Sequence, residues 1–348
     1  MKTISINLKA KKYPVFIGKN ILRPALQTII SELKPDKTLC LIDQNLQIKS
    51  LGLDKTIKLA ITEQDKNIKT TLKLIDSFLK LNLGKKSLVV NIGGGAFTDT
   101  AGFAESIYAR GIRFINCPTT LLAMVDASIG GKTGVNYKNI KNIIGSIQQP
   151  NAVIIDTSFL TTLPKDQLSS GYAEIIKHSL IKDKNYFNHL KLKDRTLEQV
   201  IFRSIQIKKE IIELDEDETN GLRQLLNFGH TIGHSLESFS HKIKKPLLHG
   251  YAVSLGIIAE TYISVKLGYL NSESLDEIIT VLADYNLPTK LEFKPDYDFI
   301  QKAIAKDKKS VGGKPKLVLL KEIGKAVTEQ TTTFDIINDA VKFLCKKQ

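Results

Sequence analysis

Four of the six histidines in this 348-residue chain fall within one short stretch, LLNFGHTIGHSLESFSHKIKKPLLHGY, residues 225–251. They are His230, His234, His241 and His249. His230 and His234 are four apart, which on a helix stacks both imidazoles on one face about a turn from each other. Asn227 precedes His230 by three and continues that face. Arg223, four before Asn227, extends it if the helix starts early. After Lys242, Lys244, Lys245 and Pro246, His249 opens a second apolar, helix-like run over 252–267. Two helices that turn imidazoles toward each other can hold zinc, and one carboxylate would complete a three-ligand site with a position open for substrate. A His-x3-His pair also occurs on helices that bind nothing. The pattern is not His-Glu-x-x-His, since Thr231 and Ile232 follow His230, so a zinc-protease reading fails.

A second constellation is Gly93-Gly94-Gly95, directly after the apolar run 87–92 and before a helix-like segment that begins near Asp99. Glycines there let backbone N–H groups approach a pyrophosphate at a helix N-terminus. The same turn can be merely tight. Asp43, closing the strand-like run 38–43, is placed to accept hydrogen bonds from ribose hydroxyls. Glu63 and Lys66 follow the next strand and offer further polar contacts to a dinucleotide. Gly130-Gly131-Lys132-Thr133 ends like a P-loop, but the first glycine of that motif would fall at 126, which is Asp126. Lys132 beside glycines is an anion contact instead. Glu174, Lys177 and His178 share a helical face at i, i+3 and i+4. The alternatives there are a solvated ion pair or, given apolar Ala173, Ile175 and Ile176, a partly buried site.

The elements that must position these groups follow from periodicity. Strand-like runs at 3–8, 38–43, 56–61, 87–92, 113–117 and 152–156 alternate with helix-like segments at 21–33, 69–81 and 99–109. Such alternation implies a mostly parallel sheet covered by helices, a Rossmann-like α/β nucleotide-binding domain. The stretch 116–150 reads as a loop rich in glycine and small polar residues. Beyond about 165 the chain turns mainly helical, so the expected domains are 1–165 and 166–348.

Composition excludes other classes. No stretch reaches the ~20 uncharged apolar residues that span a bilayer. The opening MKTISINLKAKKYPVFIG alternates like a strand and lacks a signal-peptide core. Cys40, Cys117 and Cys345 are odd in number and far apart, which suits a reducing compartment and a cytoplasmic location. The net charge is +14, from 50 basic and 36 acidic residues. No basic helix or aromatic platform accompanies it, so an anionic small substrate explains the excess better than nucleic acid does.

Taken together, Gly93-Gly94-Gly95, PTTLLAMVDASIGGKT from Pro118, GYAEIIK from Gly171, LNFGHTIGH from Leu226 and Leu248-His249-Gly250 resemble the 3-dehydroquinate synthase family of sugar phosphate cyclases. The resemblance runs from about 43 to 320. It implies a homodimeric lyase of the shikimate pathway that uses NAD and a divalent metal, zinc or cobalt. The implied reaction converts 3-deoxy-D-arabino-heptulosonate 7-phosphate to 3-dehydroquinate and phosphate. It proceeds by transient oxidation, β-elimination, reduction and an intramolecular aldol step. By the same resemblance Glu174, His230 and His249 ligate the metal. His234, Lys177, Arg223 and Asn227 face the substrate, with Asp126, Lys132 and Asn142. Lys141 lies nearer the cofactor, which Asp43, Glu63, Lys66, Gly93, Gly94 and Gly95 also meet, with Asp99, Thr119, Thr120, Phe159 and Thr162. Arg110 crosses a dimer interface to the phosphate.

The chain departs from the family in two places. The loop before Arg223 is one residue longer, so alignment on Glu210 selects Lys208 and Glu218, whereas alignment backward from Arg223 selects Lys209. Tyr251 stands where the family commonly has glutamate. Lys308 and Lys309 match the family's Asp-Lys-Lys loop, either one being the substrate contact. The competing reading is a metal-dependent NAD polyol or alcohol dehydrogenase of related fold, which would release NADH.

Overall fold

The computed structural model describes residues 1–9, 11–138, 140–306 and 315–345. It divides into two compact units, Met1–Leu163 and Pro164–Gln348, two residues before the expected change at 165.

The first unit runs β1 (Lys2–Asn7), β2 (Lys12–Gly18), α1 (Leu22–Leu33), β3 (Thr38–Asp43), β4 (Lys55–Leu59), α2 (Ile68–Lys80), β5 (Leu88–Gly93), α3 (Gly95–Ile107), β6 (Arg113–Pro118), β7 (Lys132–Tyr137), β8 (Ile140–Ile147) and β9 (Ala152–Asp156). Seven strands form one sheet in the order β1-β2-β9-β6-β5-β3-β4. Only the β1–β2 pair is antiparallel. Every residue of β5 is buried, as befits a central strand covered on both faces. α1 buries Leu22, Ala25, Leu26 and Ile29 along one stripe. Asn67 caps α2 by accepting from the Lys69 and Thr70 N–H groups.

From β3 the chain crosses to β4 on one side, and from β5 to β6 on the other. The order therefore reverses between β3 and β5, the place where ligands sit at the carboxyl ends of such sheets. Asp43 ends β3 and Gly93 ends β5.

The region 116–150 is not the loop its composition suggests. It holds a π-helical turn, Ala123–Ala127, and an antiparallel pair, β7 with β8. Gly134 faces Gly145 across that pair, and a Cβ on either would sit 3.2 Å from the other's Cα. Glycines that permit this approach also erase the apolar alternation by which strands are read.

The second unit runs α4 (Lys165–Lys182), α5 (Lys184–Leu192), α6 (Leu197–Leu214), α7 (His230–Lys242), α8 (His249–Lys266), α9 (Ser272–Asp284), α10 (Tyr297–Lys306), β10 (Lys316–Glu322), β11 (Lys325–Thr331) and α11 (Phe334–Cys345). α8 is buried almost all round, from Ala252 to Thr261, and packs against α4, α7, α9 and α11. No described helix is long and apolar enough to cross a membrane.

Glu105 is a fully buried acid within the first unit. Glu105 of α3 accepts from Asn91 Nδ2 at 3.0 Å, and the same amide group donates to Asn116 Oδ1 at 3.1 Å. Burial, only partly opposed by Asn91, pushes the Glu105 carboxyl well above its ordinary range. Its unfolded value is about 4.3, so folding takes up a proton above that pH and stability falls as pH rises. Glu105→Gln, isosteric and neutral, is expected to raise the Tm at pH 8 and flatten its decline between pH 5 and 8. A Tm below wild type at pH 8 with the slope unchanged would refute a protonated Glu105.

Candidate metal centre and nucleotide turn

In the second unit, α4 presents Glu174 and Lys177 one turn apart, both buried and in ion-pair contact. Lys177 Nζ also donates to the Leu226 carbonyl at 2.7 Å. Glu174 Oε1 lies 3.4 Å from Nε2 of His230 and 3.4 Å from Nε2 of His249. Each histidine is the first residue of its helix, α7 and α8 respectively. The His230 Nδ1 is 3.1 Å from the Phe228 carbonyl. A proton on Nδ1 satisfies that carbonyl and leaves the Nε2 lone pair facing Glu174. Behind His249, Glu237 Oε2 stands 3.8 Å from Nδ1. A carboxylate behind a histidine is the usual support of a metal ligand.

Close helix packing brings the two imidazoles together. A Cβ on Gly233 would sit 2.7 Å from the Ala252 carbonyl oxygen, and one on Gly256 would land on the Gly229 carbonyl oxygen. Glu260 of α8 accepts from the N–H groups of Gly229 at 2.7 Å and Ile232 at 3.3 Å, pinning the start of α7. His230 is thereby fixed at the crossing.

Burial by itself raises the Glu174 pKa, but Lys177, His230 and His249 outweigh it and hold the carboxyl well below its ordinary range. Burial and the Lys177 charge hold His230 well below the imidazole range, so it is neutral with a lone pair to give. Burial lowers His249, yet hydrogen bonds to Glu174 and Glu237 carry it up to about 10. The carboxylates that favour a proton there favour a divalent cation equally. Neither oxygen of Glu174 accepts from a backbone or hydroxyl donor among the described residues. A buried carboxylate with imidazole nitrogens is the donor set that zinc or cobalt takes. His234, exposed one turn along α7, has its ring 4.9 Å from that of His230 and 5.7 Å from that of His249.

The remaining expected residues of this unit are placed as follows. Asn227 and Arg223 do not share the histidine face, because α7 begins only at His230. They lie on a 3-10 turn, Leu222–Asn227, separated from α7 by Gly229 at φ 77°. The Lys177–Leu226 hydrogen bond nevertheless ties that turn to α4. Arg223 Nε is 3.3 Å from Glu218 Oε1. Lys208 lies on the buried face of α6, whereas Lys209 reaches Glu213 at 3.9 Å. His178 Nδ1 meets Ser204 Oγ at 2.7 Å. Tyr251 is half-buried in the first turn of α8. Lys308 and Lys309 lie outside the described residues. Two residues that sequence reasoning missed are Glu237 and Glu260. Glu237 had a signal, since 230, 234 and 237 follow the i, i+4, i+7 pattern of one face. Glu260 had none, because its role depends on which helix α8 meets.

In the first unit, Gly94 caps α3 and supplies no side-chain cap hydrogen bond. Helix starts of this kind are where backbone N–H groups can meet an anion. None of Gly93, Gly94 and Gly95 has positive φ. Their value is space: a Cβ at Gly93 would meet the Phe97 ring at 2.5 Å, and one at Gly94 would meet Thr120 Cγ2 at 3.2 Å. Asp99 on α3 accepts from Lys66 Nζ at 2.6 Å. Asp43 accepts from the Asn45 N–H at 2.9 Å, and Glu63 Oε1 from Asn136 Nδ2 at 2.9 Å. Thr119 donates its N–H to the Gly93 carbonyl, and Thr120 Oγ1 accepts from the Ala123 N–H. Phe159 and Thr162 lie in the turn after β9, Phe159 packed on the core beneath. These residues all follow the carboxyl ends of parallel strands.

Asp126 sits in the π-helical turn, Lys132 opens β7, and Lys141 and Asn142 are exposed on β8. Arg110 is exposed in a tight turn where Ala109, Arg110 and Gly111 have φ of 50°, 59° and 105°.

The helix crossing gives a test. Gly256→Ala is expected to force α8 from α7, costing about 1–3 kcal/mol of stability. It should also weaken zinc uptake, measured by competition with a chromogenic chelator. Unaltered Tm and zinc affinity would show that the crossing tolerates a methyl group and does not set the histidine spacing.

Comparison with known proteins places these features in a family. A sequence model of the 3-dehydroquinate synthase N-terminal domain matches residues 56–170, and one of the C-terminal domain matches 171–310. The 3-dehydroquinate synthase of Parabacteroides distasonis is 37% identical over 92% of this chain and 95% of its own. That of Sulfurisphaera tokodaii is 38% identical over 90% and 91%. Among solved structures, 2-epi-5-epi-valiolone synthase from Streptomyces hygroscopicus subsp. jinggangensis, with NAD+ and Zn2+ bound, superposes with a TM-score of 0.85. It is 29% identical and covers 97% of this chain and 98% of that one. With both domains matched in order and curated relatives aligned over nearly its whole length, this chain belongs to the 3-dehydroquinate synthase family.

Proposed function

We propose that this protein is a 3-dehydroquinate synthase, a phosphate-eliminating lyase of the shikimate pathway. Its substrate would be 3-deoxy-D-arabino-heptulosonate 7-phosphate and its products 3-dehydroquinate and phosphate. The observation that carries the reading is the buried Glu174 carboxylate, 3.4 Å from Nε2 of both His230 and His249, in a chain of this family. Glu174, His230 and His249 would hold zinc or cobalt. Gly93–Gly95, Asp43, Glu63 and Lys66 would bind NAD, with Asp99, Thr119, Thr120, Lys141, Phe159 and Thr162 around it. When bound, the metal polarises substrate oxygens and NAD accepts and returns one hydride.

The chain's own residues supply binding and proton movement. Lys177, Lys208 and Arg223 in the second unit, and Lys132 in the first, are cations suited to a substrate carrying carboxylate and phosphate. Asp126, Asn142 and Asn227 would orient its hydroxyls, and Glu218 would hold Arg223. The exposed imidazole of His234 would move a proton between substrate and solvent. Arg110 would reach the phosphate bound by a second copy in a homodimer, and Lys308 or Lys309 would add a further cation. Cys40, Cys117 and Cys345 are unpaired thiols, in keeping with a cytoplasmic enzyme.

The test is turnover of the zinc- or cobalt-loaded protein with NAD and the heptulosonate phosphate. Inorganic phosphate should appear with no lasting NADH absorbance, and a chelator should abolish it until metal is restored. NADH accumulating in step with substrate, without phosphate, would favour the dehydrogenase reading. His234→Ala should lower kcat/KM by ~100-fold or more. A change within about twofold would remove His234 from proton transfer.

A further inference from the structure

Asn136 is a residue that neither the motifs nor the proposed site uses, yet every polar atom of its side chain is engaged. Its Oδ1 accepts from the Asn142 N–H at 2.9 Å. Its Nδ2 donates to Glu63 Oε1 at 2.9 Å and to the Glu63 carbonyl at 3.4 Å. Its own N–H donates to the Lys66 carbonyl at 2.8 Å. A peptide N–H on one side and a carboxylate on the other leave only one orientation for the amide.

The backbone is shaped around these bonds. The β7–β8 register shifts between Val135 and Tyr137, so that Asn136 alone faces residues 141–143 of β8, and it makes an isolated bridge with Asn67. Asn142 adopts φ 51°, a left-handed conformation that asparagine tolerates better than most residues. The bond from its N–H to Asn136 helps hold it there. Lys66 in turn donates to Asp99 of α3 at 2.6 Å. A continuous path therefore runs from α3 through Lys66 and Asn136 to Asn142, with Glu63 attached.

We propose that Asn136 is a positioning residue that ties the Glu63–Lys66 loop to Asn142 on β8, so that the nucleotide contacts and the substrate contact are set as one unit. The inference rests on the functional reading above, in which Glu63 and Lys66 meet NAD and Asn142 meets substrate. It adds a coupling that neither group has alone. A change at Asn136 touches no reacting atom, so its effect falls on binding and not on the chemical step.

Steady-state phosphate release and NAD calorimetry on the metal-loaded enzyme test this. Asn136→Ala should raise both the KM for the heptulosonate phosphate and the Kd for NAD by about tenfold, the loss expected for hydrogen bonds that include one to a charged group. The kcat should stay within about threefold. Asn136→Asp sets a second carboxylate against Glu63 and should bind both ligands poorly at pH 8. It should improve as pH falls and the pair shares a proton. Unchanged KM and Kd in Asn136→Ala would overturn the proposal. A fall in Tm alone would also overturn it, because a purely structural role does that. Wild-type enzyme that releases no phosphate would instead overturn the functional reading. The NAD affinities of the variants then decide on Asn136 by themselves, a loss supporting it and no change sinking it.

Discussion

The organisation of the second unit depends on how one buried negative charge is satisfied. Among the described residues six acids are buried: Glu105, Asp156, Glu174, Asp215, Glu237 and Glu260. A carboxylate away from water must find donors or counter-charges, or lose its ionisation. Asp156 accepts from the Asn20 and Leu22 N–H groups, Asp215 from Thr219 and Arg223, and Glu260 from Gly229 and Ile232. These three staple backbone. Glu105 has a side-chain amide and becomes neutral instead. Glu174 has neither solution. It is flanked by a lysine and two imidazoles, groups that compensate its charge and also compete for it. That difference separates Glu174 from the backbone-stapling acids more sharply than burial does.

The cost of assembling such a cluster is met by close packing of helices. Gly233 and Gly256 let α7 and α8 approach until backbone meets backbone, and Glu260 uses that contact to cap α7. The same principle works in the first unit with different elements. Gly93 and Gly94 clear space beside Phe97 and Thr120, and Gly94 leaves the start of α3 without a side-chain cap. In both units the absence of a Cβ matters more than backbone freedom, since none of these four glycines has positive φ.

Much of this was legible in the sequence because it was local. The strands 38–43 and 152–156 fell where periodicity put them, since buried parallel strands are runs of apolar residues. The i, i+4 histidines share a face because α7 is regular. What failed was long-range or hidden in small residues. The pair β7–β8 was invisible because facing glycines break its alternation. Asn227 and Arg223 were assigned to the wrong helix because Gly229, one residue before His230, stops the helix from extending back. β2 was not separated from β1, because the opening run alternates throughout; its Pro14 lies opposite Ser5 of β1 and just before the pairing with β9 begins at Val15. Glu260 could not be read at all, since nothing in its own segment says which helix it will cap.

Burial of acids also bears on the charge the protein shows to its surroundings. The chain carries 50 basic and 36 acidic residues, a formal +14. Six acids are buried among the described residues, but only four of the bases are: Lys66, Lys177, Lys208 and Arg223. Burial by itself leaves the net charge and the far field unchanged, but Glu105, held neutral, makes that charge more positive than the formal count. A field of one sign over an open surface concentrates anions nearby before any specific contact forms, and it weakens with ionic strength. Lysines spread along the chain, with no helix devoted to them, suit that diffuse role. The buried cations Lys177, Lys208 and Arg223 are held in fixed positions within the second unit instead.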